Sequence, residues 1–250
     1  KRKQKRQMAL DLFPVLTCYA IPVITRYHIY ERTRTMKKDL TELVFILDMS
    51  GSMSSLTGDT IGGFNSVLKE HNDGNGEVLV TTYVFNNESK MLHDRLPIAD
   101  VPAMTEKDYS ARGCTALLDA IGGAIQHIAG IHRYAREEDV PEHTIFVITT
   151  DGMENASHRY SSDEVKAMVR KQKEQHGWEF LFLGANMDAI SAARSFGIRE
   201  DRAVRYACDS VGTSLNFAVT AQAISRLRKG KGIDADWSAP IAEDYEKRGK

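Results

Sequence analysis

Three oxygen-bearing side chains follow one of the most apolar stretches of the sequence. Asp48, Ser50 and Ser52 are each separated by one residue and come directly after the apolar run at 44–47. Carboxylate and hydroxyl oxygens are hard donors of the kind that Mg²⁺ prefers, and Gly51 lets the backbone turn tightly between them. The same spacing also suits a simple turn, in which these side chains cap the backbone that follows. The pattern by itself therefore leaves a metal site and a structural turn as alternatives.

Two further loops carry donors of the same kind. Asp151 follows a second apolar run, at 144–148, and so repeats the arrangement that leads to Asp48. Thr115 lies just ahead of a helical pattern, where capping of that helix is the structural alternative. Because ligands of open α/β sheets bind where the strands end, we expect these loops to meet at one edge of a sheet. The candidate metal-ligating residues are Asp48, Ser50, Ser52, Thr115 and Asp151.

The sequence between these loops alternates between strand and helix patterns. Strands are predicted at 43–48, 77–85, 90–98, 144–150, 179–183 and 203–207, and helices beginning near 59, 117, 161, 188 and 210. A turn at 86–87 makes the third strand an antiparallel edge strand, and Ser161 with Glu164 forms a capping box. The predicted fold class is α/β, with a doubly wound, Rossmann-like, mostly parallel central sheet, one antiparallel edge strand and helices on both faces.

Composition limits the classes of protein that fit. The 250 residues are 42% hydrophobic and 27% charged, which allows one substantial domain with a real core. The net charge of −1 gives the whole chain no electrostatic bias towards nucleic acid. Residues 1–35 are nevertheless basic, with eight Lys or Arg against two Asp or Glu. Their apolar part at 12–24 is too short to span a membrane as a helix and lacks the cleavage site of a signal peptide.

These observations divide the chain into three parts. Residues 1–35 are predicted to be an N-terminal extension, non-native or poorly ordered, with the domain beginning at Met36. Residues 36–228 are predicted to form that domain. From 229 to 250 the sequence loses its periodicity, which predicts a C-terminal tail with Trp237 as its candidate tether.

The cysteines indicate a reducing compartment. Cys18, Cys114 and Cys208 contain no CxxC pair and cannot all pair within one chain, so a cytoplasmic setting is expected. Cys114 lies beside a candidate ligand, but no sequence cue supplies a partner base. We therefore expect it to be an unreactive, partly buried thiol rather than a nucleophile.

Taken together, the three loops resemble a known metal site. Asp48-Met49-Ser50-Gly51-Ser52, then Thr115, then Asp151 resemble the metal-ion-dependent adhesion site (MIDAS) of von Willebrand factor type A (VWA) domains. The resemblance covers about residues 41–228, and the stretches 36–53 and 114–121 further resemble small stand-alone bacterial members. It implies that Ser50 and Ser52 are direct ligands of Mg²⁺ and that Thr115 binds directly or through water. Asp48 and Asp151 would act mainly through bound waters, and Mn²⁺ or Ca²⁺ would be possible substitutes for Mg²⁺.

The resemblance also implies a function. Two carboxylates and three neutral hydroxyls leave a divalent ion with net positive character, so a Glu or Asp of a partner protein can complete its shell. The expected protein is a non-enzymatic adaptor or assembly subunit in a bacterial cytoplasm, with neither nucleic acid nor membrane as partner. By family analogy, the partner would be an AAA+ ATPase or a stress-response complex.

Enzymatic alternatives fit the sequence less well. The leading one is a Mg²⁺-dependent phosphatase or related hydrolase in which Asp48 attacks phosphate. Enzymes of that outline resemble this sequence but have Asp-x-Asp, whereas the second position here is Ser50. Neither a Walker lysine, nor a GxGxxG turn after a strand, nor a Gly-x-Ser-x-Gly elbow is present. Glu154 and Asn155 either tune the rim of the site or cap the next segment, and we favour capping.

Overall fold

The computed structural model describes residues 36–185 and 188–248, which contain one six-stranded sheet in the order β3-β2-β1-β4-β5-β6. All neighbouring strands are parallel except β2 and β3, which form an antiparallel hairpin at one edge. This confirms the predicted fold class. The strands are β1 Lys37–Asp48, β2 Glu77–Phe85, β3 Ser89–Pro97, β4 Pro141–Thr150, β5 Glu179–Ala185 and β6 Ala203–Tyr206.

Helices cover both faces of the sheet, as predicted. They are α1 Thr57–His71, α2 Leu117–Tyr134, α3 Ser162–His176, α4 Ala189–Ser195, α5 Ser210–Arg228 and α6 Ala239–Arg248. One hydrophobic core lies under α1, α5 and α6 and includes Phe45 of β1, while the other lies under α2, α3 and α4 and includes Val44. In the described ranges, none of these helices is both long and apolar enough to cross a membrane.

The central strand explains where the polar loops lie. Every residue of β1 from Leu40 to Asp48 is buried, because β2 and β4 flank it and helices cover both of its faces. The parallel register pairs Asp48 with Phe85 of β2 and Leu47 with Thr149 of β4. The carboxyl ends of the two central strands β1 and β4 therefore lie side by side at one edge of the sheet.

Local signals set several helix ends. The Ser161 side chain accepts a hydrogen bond from the backbone of Glu164, whose carboxylate accepts one in return, so the predicted capping box is confirmed. Gly177 ends α3 with a φ of +65°. Asp59, by contrast, does not cap α1, which begins at Thr57 after a short 3₁₀ helix at Gly51–Leu56. Its carboxylate accepts a 2.7 Å hydrogen bond from the hydroxyl of Ser210 instead.

The C-terminal segment differs from the predicted tail. Helix α6 packs on the α1 and α5 side of the sheet, where Ile233 and Ile241 are buried in the core. Trp237 does tether the segment, because its indole Nε1 donates a 2.9 Å hydrogen bond to the carbonyl of Asp201. Ile233 and Ile241 thus join this otherwise polar segment to the core. The predicted extension at 1–35, with Cys18, lies outside the described residues.

Candidate metal centre

The first loop places three of the candidate ligands at the end of β1. Asp48 is fully buried, Ser50 is 2% exposed and Ser52 lies at the surface. The backbone N–H of Ser50 donates a 2.7 Å hydrogen bond to Oδ1 of Asp48. The hydroxyls of Ser50 and Ser52 lie 3.1 Å apart, within hydrogen-bonding distance. The side chains therefore run from the buried end of the strand outwards to solvent.

The end of β4 joins this group. The hydroxyl of Ser52 donates a 2.6 Å hydrogen bond to Oδ1 of Asp151, and that of Thr150 donates a 2.6 Å bond to Oδ2 of Asp48. Four of the five candidate side chains are thus linked into one hydrogen-bonded cluster. Thr150 belongs to it although sequence reasoning assigned it no role, since nothing in the sequence distinguishes it from Thr149.

Thr115 approaches the cluster from a third loop. A Cβ built on Gly152 would lie 2.9 Å from Oγ1 of Thr115 and 3.7 Å from Oγ of Ser52, so the missing side chain keeps the space between these hydroxyls open. Within the described residues, Oγ1 of Thr115 makes no hydrogen bond. The alternative that Thr115 caps α2 is wrong. The N-cap residue of α2 is Ala116, and no side chain at this position caps the helix by a hydrogen bond.

Backbone contacts hold the Thr115 loop against its neighbours. Thr115 and Asn155 exchange two hydrogen bonds: the N–H of Thr115 donates to Oδ1 of Asn155, at 2.9 Å, and the N–H of Asn155 donates to the carbonyl of Thr115, at 3.1 Å. The carboxylate of Glu154 accepts from the first turn of α2, at Leu118, and from the N–H groups of Ala156 and Ser157. The capping interpretation of Glu154 is therefore confirmed, and Asn155 positions the loop.

The first loop is fixed by a residue that the sequence did not reveal. The phenol of Tyr109, buried in the core, donates a hydrogen bond to the carbonyl of Asp48. Gly51 donates its N–H to the carbonyl of Gly113, at 3.0 Å. Gly113 has a φ of +78°, and a Cβ there would lie 2.2 Å from Oδ1 of Asn87, so the close approach requires glycine.

Cys114 differs from its expected state. It is an exposed free thiol rather than a partly buried one, because the loop between Gly113 and Thr115 runs along the surface. Its backbone N–H donates a 2.9 Å hydrogen bond to Oδ1 of Asn87. This contact fixes the backbone and leaves the side chain at the surface.

Burial disfavours the charged forms of both carboxylates in the cluster. It raises the pKa of Asp48 to about 6, against the opposing effect of the hydrogen bonds from Thr150 and Ser50, and the nearby charge of Asp151 raises it further. Burial also raises the pKa of Asp151, although the hydrogen bond from Ser52 opposes the shift. A cation next to these groups would stabilise their charged forms.

The donor set fits a hard divalent cation. Its three hydroxyls and two carboxylates supply only oxygen, the ligand type of Mg²⁺, Mn²⁺ and Ca²⁺. Residues 36–185 and 188–248 hold no cluster of three or more His, Cys, Asp or Glu that suits a metal, so a carboxylate-rich or thiolate site is not part of this region. The hydroxyl of Thr115 makes no hydrogen bond to any residue that the structure describes and lies beside the space at Gly152, so it is available as a ligand.

Comparison with known proteins gives matches only among solved structures. No family model matches the chain, and a search of curated proteins finds no match either. Proximal thread matrix protein 1 (PTMP1) of the mussel byssus, solved with a zinc-occupied MIDAS motif, is 16% identical with a TM-score of 0.50, over 75% of this chain and 46% of PTMP1. The pilus adhesin SpaC of Lactobacillus rhamnosus GG is 13% identical with a TM-score of 0.57, over 76% of this chain and 31% of SpaC.

A third match is the structure of a single domain, and the alignment covers almost all of that domain. The vWF domain of the type V pili tip protein Mfa5 of Porphyromonas gingivalis is 10% identical, with a TM-score of 0.53, over 74% of this chain and 95% of that domain. The chain spans less than half the length of PTMP1 and of SpaC. Identities this low establish the fold alone. The described part of this chain has a VWA-like fold.

Proposed function

We propose that this chain is a non-enzymatic, Mg²⁺-dependent protein-binding module that captures an acidic side chain of a partner protein. Ser50, Ser52 and Thr115 would give hydroxyl oxygens to the ion, and Asp48 and Asp151 would orient or complete its oxygen shell. When bound, the ion supplies a positive charge to which a partner carboxylate is attracted. An adaptor or assembly subunit is the kind of protein that uses such a module.

One observation carries this proposal. Three hydroxyls and two carboxylates from three loops meet at one edge of the sheet, around the space that the side chain of residue 152 would fill. Because only two of these five groups are charged, a divalent ion held there keeps an affinity for a further anion. Ser52 is at the surface, so an incoming carboxylate can reach the cluster.

The structural relatives give this proposal a second support. PTMP1 holds zinc at its MIDAS motif, and SpaC is a pilus adhesin, so other proteins of this fold bind metal or act in adhesion. We extend the analogy to a Mg²⁺ site of the same type here, with an AAA+ ATPase or a stress-response complex as the partner class. The exposed free thiol of Cys114 agrees with the proposed cytoplasmic location.

The geometry disfavours the phosphatase alternative. A nucleophilic Asp48 would need an oxygen free to attack phosphate, yet the side chain is fully buried. Its Oδ1 accepts a hydrogen bond from the backbone of Ser50, and its Oδ2 accepts one from the hydroxyl of Thr150. Both oxygens therefore already serve to fix neighbouring groups.

Acetate is a minimal probe for the proposed carboxylate capture. NMR titration with acetate should shift the signals of residues around Ser52 and Thr115 in the presence of Mg²⁺ but not in EDTA. The neutral analogue acetamide is the matched control and should cause no shift. Shifts that persist in EDTA or in Ser52→Ala would contradict the proposal. Hydrolysis of p-nitrophenyl phosphate that needs Mg²⁺ and is lost in Asp48→Asn would favour the phosphatase instead.

A further inference from the structure

One arginine lies on the loop that carries Thr115, beside the candidate metal centre. The backbone N–H of Arg112 donates a 2.8 Å hydrogen bond to the carbonyl of Met49, which lies between the first two candidate ligands in the sequence. The N–H of Gly51, between the second and the third, donates a 3.0 Å bond to the carbonyl of Gly113. These two bonds hold the backbone of Arg112 alongside the loop at the end of β1.

The side chain of this arginine has no partner in the described structure. It is exposed, and it makes no ion pair or hydrogen bond with any residue in 36–185 or 188–248. Glu88 lies in the hairpin turn that contacts the same loop, through the 2.9 Å bond from the N–H of Cys114 to Oδ1 of Asn87, yet it does not pair with Arg112. The guanidinium therefore keeps its N–H donors for an incoming group.

Apart from the two candidate ligands, the other full charges on the loops around the metal centre are engaged. Segment 49–56 contains no Asp, Glu, Lys or Arg. On the loop after β4, the carboxylate of Glu154 accepts four hydrogen bonds, three of them from backbone N–H groups. The guanidinium of Arg159 lies over the ring of Tyr160, with its Cζ 5.6 Å from the ring centroid. In these described segments, Arg112 is the cation left without a contact.

An arginine at this point suits a carboxylate other than the one that the metal captures. In the proposed function, a divalent ion holds the captured carboxylate through oxygen. A guanidinium presents a planar fork of N–H groups that matches both oxygens of a carboxylate, so it pairs best with a carboxylate whose two oxygens are free. Such a pair is also selective, because a neutral amide in the same place cannot replace the negative charge.

We propose that Arg112 makes the metal centre selective for an acidic segment of a partner protein, in which one carboxylate binds the ion and a second, close in sequence, pairs with Arg112. This inference rests on the proposed function, because the first carboxylate needs the ion. It narrows the class of partner, since a segment with a single Glu or Asp would bind more weakly than one with two. Arg112 acts in recognition and gives no ligand to the ion.

Short peptides test this selectivity directly. The probes are acetyl-Glu-Glu-amide, acetyl-Glu-Gly-Glu-amide and acetyl-Glu-Gly-Gly-Glu-amide, and each is compared with a control peptide in which the second Glu is Gln. NMR titration of the intact chain, with saturating Mg²⁺ and constant ionic strength, gives both affinities from signals around Ser52 and Thr115. The readout is the ratio of the two affinities, because a change in Mg²⁺ binding affects both peptides alike. Two equivalent glutamates by themselves give a ratio of about two.

Two variants that each remove one arginine charge decide the outcome. In the wild type, at least one diacidic peptide should bind about five- to tenfold more tightly than its control. Arg112→Gln should reduce this ratio to about two. Arg133→Gln, which removes an exposed arginine from the last turn of α2, at the end of that helix farther from Thr115, should leave the ratio unchanged.

The same titrations separate failure of this inference from failure of the proposed function. A ratio of about two for all three peptides in the wild type, or an equal fall in Arg133→Gln, would overturn the role of Arg112. So would an unchanged ratio in Arg112→Gln, which would mean that Arg112 acts on the metal-bound carboxylate or not at all. In each of these cases, Mg²⁺-dependent binding of the control peptides would still support the proposed function. Absence of Mg²⁺-dependent binding for every peptide would overturn both.

Discussion

The hydroxyl of Thr150 donates a 2.6 Å hydrogen bond to Oδ2 of Asp48, across the seam between β4 and β1. Asp48 is fully buried, so its carboxylate depends on this bond and on the backbone N–H of Ser50 to replace the water that it loses. The bond links the two strands whose ends carry the candidate ligands. Several testable properties of the metal centre depend on it.

Replacement of Thr150 should therefore be far more harmful than replacement of its neighbour. Thr150→Val leaves Oδ2 of Asp48 buried without a donor, and we expect the free energy of unfolding to fall by about 1.5–3 kcal/mol. The hydroxyl of Thr149 is buried with no hydrogen-bond partner in the described structure, so Thr149→Val should be neutral or slightly stabilising. Urea denaturation of both variants measures the difference. Equal effects would mean that the bond to Asp48 contributes nothing.

The charge on Asp48 should cost stability when no metal is present. Its folded-state pKa of about 6 exceeds the ordinary aspartate value of 3.8, so the folded state binds more protons and wild-type stability falls as the pH rises from about 4 through 6. In EDTA, Asp48→Asn should be more stable than wild type at pH 8, by about 1–3 kcal/mol, and the difference should shrink towards pH 4. Denaturation curves at several pH values test this, and a less stable Asn variant at pH 8 would contradict it.

Gly152 should be required for metal binding but not for folding. In Gly152→Ala the new methyl group would lie 2.9 Å from Oγ1 of Thr115, in the space left open for an ion. We expect at least a tenfold loss of Mg²⁺ affinity, measured by calorimetry, while the circular dichroism spectrum is unchanged. Gly123→Ala is the matched control, because a Cβ there meets nothing within 4 Å. Full Mg²⁺ affinity in Gly152→Ala would place the ion elsewhere.

A buried histidine far from the metal centre should make the fold sensitive to acid. Burial, followed by the charge of Arg228, lowers the pKa of His71 from 6.5 to about 4. The unfolded chain therefore binds more protons between these values, and stability present above pH 6.5 is lost as the pH falls towards 4, by up to about 3 kcal/mol. In EDTA, His71→Gln should lose this part of the pH dependence, whereas His158→Gln, at an exposed histidine, should keep it. An unchanged pH profile in His71→Gln would show that His71 does not act in this way.

The sequence predicts elements well where its pattern matches the packing. The bounds of β2, Glu77–Phe85, agree with the prediction because a run of mostly β-branched and aromatic residues lies there between two turn segments. Helix α5 begins at Ser210 as predicted, although its first apolar residue, Val211, is exposed. The meeting of the five candidate side chains is also predictable, since the carboxyl ends of parallel strands share one edge. Their role as metal ligands stays a prediction.

Other parts depend on contacts that no local pattern reveals. Tyr109 lies in an irregular segment, and its partner is the backbone carbonyl of Asp48, which any residue would offer. Helix α6 buries Ile241 against a core assembled from distant elements, so its own sequence gives little sign of it. The role of Gly152 likewise becomes visible only when Thr115 is brought beside it from another loop.

Calorimetric titration of the metal-stripped protein with Mg²⁺ and Mn²⁺ tests the central claim most directly. The comparison is between wild type, Ser50→Ala/Ser52→Ala, and the control Ser54→Ala/Ser55→Ala, which removes two exposed hydroxyls from the same loop. We predict saturable binding of about one ion in the wild type and in the control, and its loss in the Ser50/Ser52 variant. Binding that survives in the Ser50/Ser52 variant, or that is absent from the wild type, would contradict the account of this cluster as a metal centre.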